Sequence, residues 1–82
     1  MILPRVHLNG TDRTTLLDQN LEALEAVRGA IAALERAQPH SRDYYMLGDG
    51  AVQAAIFAHV SRLQELERIS RDLQQLVDHL EK

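Results

Sequence analysis

The sequence predicts an all-α protein: an antiparallel helical hairpin with a short N-terminal extended arm, dimerising into a four-helix bundle. Three observations predict it. Leu17, Leu24 and Ile31 recur every seven residues, with Val27 and Leu34 filling the alternate positions of one helical stripe. A second stripe, Val52, Ile56, His59, Leu63, Leu66, Leu73, Val77 and Leu80, follows a break at Pro39. Both helices also carry apolar residues off these stripes, more than one helix–helix contact covers.

The elements follow in order. Residues 1–10 form the arm, in which ILPRVHL alternates weakly, contains a proline and closes on the turn signal Asn9-Gly10. Thr11, Thr14 or Thr15 is expected to cap the first helix, Thr15 with Asp18 three residues on as a near-capping box. That helix spans about residues 12–38. Ala23, Ala30 and Ala37 flank its seam and allow close approach, while Gly29 falls on the outer face. The loop covers residues 39–49, and Asp49 between two glycines is expected to cap a second helix over about residues 50–81. At roughly 1.5 Å per residue this helix is the longer one. Its last turns are expected to project past the start of the first helix, where Ile2, Val6 and Leu8 would cover them. Glu67 and Arg71 are spaced for an i,i+4 pair. Leu16 and Leu21 on the first helix, with Phe57, Val60, Ile69 and Leu76 on the second, lie off the seams. Phe57, Val60, Leu21 and Ile69 are the expected interface of a homo-oligomer.

Composition narrows the function. Eighty-two residues make one small domain whose core is often completed by a partner. Without cysteine there is neither a disulfide framework nor a thiolate metal site. A net charge of −3 argues against general nucleic-acid binding. No stretch approaches the roughly 20 apolar residues of a membrane span, and MILPRVHLNG lacks the pattern of a signal peptide. A cytoplasmic protein is expected, so the sequon at residues 9–11 carries no weight.

Two clusters carry the candidate chemistry. SRDYY, residues 41–45, holds both tyrosines of a chain with only one other aromatic residue, Phe57. Tyr44 and Tyr45 offer ring faces to a planar base, worth about 1–3 kcal/mol per stacked base. Arg42 offers a fork for phosphate and Asp43 an acceptor for a base or ribose edge, with Arg36 and His40 nearby. The structural alternative is a plug at the end of the bundle, with an Arg42–Asp43 pair or turn. HLNGT, residues 7–11, is the second cluster: His7 and Asn9 project polar groups, and Thr11 stands where helix-start amides favour an anion. Within one hairpin the two clusters lie a helix length apart, so only an oligomer would unite them.

Other features point away from chemistry. GDG at residues 48–50 lacks the GK[ST] ending of a phosphate loop. His40, His59 and His79 have no metal-ligand spacing, and no cofactor is expected. His40, Ser41 and Asp43 are too close in sequence for a hydrolase relay. His59 on the apolar seam is expected to be a satisfied core residue, bonded near Arg28 or to Ser70. The protein is expected not to be an enzyme.

With Val6 to Thr11, Ser41 to Tyr45 and His59 in place, the chain resembles a group of short tailed-phage and prophage proteins over nearly its whole length. Members join an I/V-H-L-N-G-T arm to a G/S-R-D-Y-Y loop and a second helix bearing a histidine. Their proline-glutamine-glycine after the tyrosines is Met46-Leu47-Gly48 here. The resemblance implies phage origin, a helical hairpin and action in the host cytosol. By analogy with small phage oligomers that trap host immune nucleotides, the expected function is sequestration of a phosphate-bearing nucleotide, such as a cyclic nucleotide signal. The alternative is a helical protein-interaction module, virion-associated or inhibiting a host defence protein, with no small ligand.

Overall fold

The computed structural model of the chain describes residues 1–7 and 10–82, and of Asp49 the backbone alone. Helix α1 is Arg13–Arg36 and helix α2 is Asp49–Glu81, antiparallel and joined by two 3-10 turns at Ser41–Asp43 and Tyr45–Leu47. The chain is a rod 61 Å long and about 20 Å across. There is no strand among the described residues, and no described helix is long and apolar enough to cross a membrane.

The cap of α1 is Asp12, not one of the threonines. Its carboxylate accepts from the Thr15 amide at 2.9 Å and from the Thr15 hydroxyl at 3.1 Å. Thr15 thus serves as donor in a cap whose acceptor is the charged side chain. Helix α1 stops at Arg36, and the Ala37 amide turns back onto the Leu34 carbonyl just before Pro39. At α2 the cap position belongs to Gly48, with φ 98° and ψ 168°. Asp49 is the first helical residue rather than the cap. That φ,ψ combination is open essentially to glycine alone.

The register differs from expectation at both ends. Arg13, the first residue of α1, reaches the last carbonyls of α2, so the helices are flush at the chain termini. At the other end Gln38 and Pro39, just past α1, share a hollow with Ile56, His59 and Leu63. The excess length of α2, 33 residues against 24, therefore overhangs at the loop. Its first two turns are backed only by the 3-10 segment.

Packing follows this register. The fully buried apolar side chains among the described residues are Leu24, Val77 and Leu80, all on the terminal half. The arm covers that half through Pro4 and Val6, both half-buried, whereas Ile2 is 94% exposed. Leu8, the other expected cover, lies outside the described residues. The ion pair that forms on α2 is Arg68–Asp72 at 3.3 Å, one position along from the expected Glu67–Arg71. Both its side chains are substantially exposed, so it adds little.

Two predictions follow from the caps. Gly48→Ala should cost about 1–3 kcal/mol through strain at the start of α2, read as a fall in the urea midpoint at unchanged slope. Hydrogen bonds from the Thr15 amide, and then from its hydroxyl, hold the Asp12 carboxyl below its usual range. Because the folded value is the depressed one, this cap stabilises above the ordinary carboxylate range and loses its effect as pH falls through the folded value. Asp12→Ala should lower Tm at neutral pH, Asp12→Asn should retain most of it, and the alanine deficit should shrink under acid.

Candidate functional site

The tyrosine loop is an ordered double turn. His40 caps it: its Nδ1 accepts from the Arg42 amide at 3.1 Å, which places the neutral ring's proton on Nε2. The Asp43 amide bonds to the His40 carbonyl, Tyr44 to Ser41, and Leu47 to Tyr44. His40 is thus committed to holding the loop. Tyr44 is half-buried, and Tyr45 is 74% exposed. Both line a hollow of about 200 Å³ with Ser41, Gly48 and Val52. Neither Arg42 nor Asp43 lines it, and the two make no ion pair with each other. The hollow is smaller than the roughly 300–1,000 Å³ of ordinary small-molecule sites. By itself the loop presents a ring and a free guanidinium, not an enclosed ligand pocket.

Of the HLNGT cluster, His7, Gly10 and Thr11 sit at the opposite end of the rod, by the chain termini. His7 is exposed, and its carbonyl accepts from the Gly10 amide at 3.2 Å. A Cβ on Gly10 would stand 2.9 Å from the His7 ring, which is exposed and would swing aside to admit it. Thr11 is exposed beside the Asp12 cap, and Asn9 lies outside the described residues. One chain therefore does not bring His7 and Thr11 to Tyr44, Tyr45, Arg42, Asp43 or His40.

Next to this cluster lies a cleft of about 370 Å³ lined by Leu3, Pro4, Arg5, Val6, Arg13 and His79. Arg13 Nη1 donates to the Leu80 carbonyl at 2.7 Å and the Lys82 carbonyl at 3.2 Å, satisfying acceptors at the α2 C-terminus. His79 Nε2 donates to the Pro4 carbonyl at 2.8 Å and ties down the arm. Sequence reasoning missed this basic cleft, because its three cationic or titratable residues come from three separate segments.

The loop half of α2 is the other unanticipated feature. Phe57, 75% exposed, points away from α1, while His59, two residues on and so nearly opposite, is buried against it. Ile56 and Val60 are also exposed, as are Met46 and Leu47 in the loop. The helix here is uncharged on every side, with Gln53, His59 and Ser61 its polar side chains. Residues 50–61 contain no Asp, Glu, Lys or Arg, whereas Arg62, Glu65, Glu67, Arg68, Arg71 and Asp72 crowd the next three turns. That charge gap was readable in the sequence and marks the surface. Of the expected interface residues, Phe57 and Val60 lie on it; Leu21 and Ile69 are half-buried elsewhere on the rod.

His59 is not the satisfied core residue expected. It is 5% exposed, and its Nε2 has no hydrogen-bond partner. Arg28, one expected neighbour, bonds instead to Gln74 Oε1 at 2.6 Å. No known protein family, curated protein or solved structure matches the chain.

The cleft yields a direct expectation. Arg13→Ala should unlatch the α2 end and loosen the arm, read as faster trypsin cleavage after Arg5 and faster amide exchange over residues 78–82, with bulk helicity nearly unchanged.

Proposed function

We propose that the protein is a non-enzymatic, self-associating helical hairpin. It acts as an interaction module whose loop half is completed by further copies, two hairpins together making four helices. One observation carries this reading: α2 is uncharged from residue 50 to 61 and exposes Ile56, Phe57 and Val60, yet α1 does not extend over its first two turns. Exposed apolar side chains on a stretch depleted of charge are the mark of an interface centre. The motif resemblance adds a phage origin and a place in the host cytosol.

A second reading, sequestration of a phosphate-bearing nucleotide such as a cyclic nucleotide signal, is favoured by the exposed Tyr45 ring beside the exposed Arg42. It requires a second copy laid antiparallel along the full rod. The tyrosine loop of one hairpin then meets the Arg5, Arg13 and His79 cleft of the other, joining stacking faces to cationic groups.

Sedimentation tests the first reading. Wild-type protein should dimerise or assemble further, and Phe57→Asp should weaken association at least about thirtyfold by placing a carboxylate in an apolar interface. A monomer at every concentration sinks it. For the second, a nucleotide at about a hundred times its Kd should raise Tm by roughly 10 °C or more, and Tyr45→Ala with Arg42→Ala should abolish the shift. If no nucleotide is released by heating the purified protein and none raises Tm, that reading fails.

A further inference from the structure

The self-association reading leaves open which groups on two copies recognise each other, and the inference drawn here rests on it. The hollow that His59 lines has a volume of about 200 Å³, with mostly apolar walls from Ile56, Val60, Leu63 and Pro39 and with Gln38 at its side. His59 brings to it a ring nine-tenths buried whose Nε2 lacks a partner. A buried nitrogen without a partner is a penalty that the isolated hairpin does not relieve. The complement of such a socket is a flat apolar group tipped by a hydroxyl. The same chain displays one. Tyr45 is 74% exposed, and its hydroxyl makes no hydrogen bond among the described residues.

We propose that Tyr45 of one copy enters the His59 hollow of a second copy, its hydroxyl meeting Nε2, while the partner's Tyr45 enters the first copy's hollow in return. The spacing suits a two-fold axis. Tyr45 shares a hollow with Val52, and Val52 precedes His59 by two turns, roughly 10 Å along α2. An axis crossing α2 midway, near Ala55 and Ile56, sets each Tyr45 level with the partner's His59. It also brings Ile56 towards its own equivalent, as an isologous contact requires. A second copy is the fitting occupant because both halves of the contact stand on one chain at matching spacing. The helix between them carries no charge over residues 50–61 with which to select a different partner.

The register has a measurable consequence. Two 61 Å rods overlapping only by their loop ends make a dimer roughly 90–100 Å long, whereas full antiparallel overlap stays near 61 Å. Small-angle scattering on the full chain reads that length. Sedimentation reads the dimer Kd for wild type, Tyr45→Phe, Tyr45→Ala, His59→Leu and the Tyr45→Phe/His59→Leu pair, with circular dichroism reporting helicity. The expected result is the long dimer, weakened about tenfold or more by Tyr45→Phe and further by Tyr45→Ala. Tyr45→Phe should cause no weakening once His59 is leucine. A dimer near 61 Å long, or a Kd indifferent to both Tyr45 variants, overturns this contact and leaves self-association standing. A monomer throughout overturns both. Should His59→Leu lose helicity, the dimer length and the Tyr45 variants, which alter only an exposed loop side chain, still decide.

Discussion

The structure turns on a mismatch of helix length. Helix α2 has 33 residues and α1 has 24, an excess of about two and a half turns. Arg13 pins the chain-terminal ends flush by taking up the last carbonyls of α2, so the whole excess falls at the loop. From that one constraint come the exposed apolar stretch, the absence of fully buried apolar side chains among the described residues of the loop half, and the job of the 3-10 turns.

The two ends of the rod are finished by different physics. At the termini, polar side chains close the structure: Asp12 takes the first amides of α1, Arg13 the last carbonyls of α2, and His79 holds the arm through the Pro4 carbonyl. These bonds leave the apolar residues beneath, Leu24, Val77 and Leu80, sealed. At the loop the polar work is local. His40 and Gly48 shape the connector, but neither supplies cover for α2. A small domain with only half of its core sealed has little stability to spare. On the proposed reading, association supplies the missing burial, and folding and assembly become linked through protein concentration.

The candidate site shares this division. A ring and a guanidinium stand at one end of a 61 Å rod, and a basic cleft stands at the other. Neither is a complete ligand site, and the orphaned nitrogen of His59 is a third incomplete feature. On the proposed readings each is completed by a second copy, and the two registers that would do so differ in length, so assembly geometry distinguishes them.

The sequence by itself determined the two helices and the break at Pro39, because seven-residue apolar periodicity and the backbone restriction of proline are local and act over a few bonds. It also carried the charge gap of residues 50–61, which composition alone reveals. Only the tertiary structure decided the register. Apolar seams fix which faces meet but let antiparallel helices slide by whole turns at small cost. The choice was made by contacts far apart in sequence: Arg13 with Leu80, and His79 with Pro4. The same register moved the overhang from the termini to the loop and left His59 without the partner its seam position implied. The cap of α1 went to Asp12 because three neighbouring threonines and an aspartate compete within one turn, and the backbone path there selects among them.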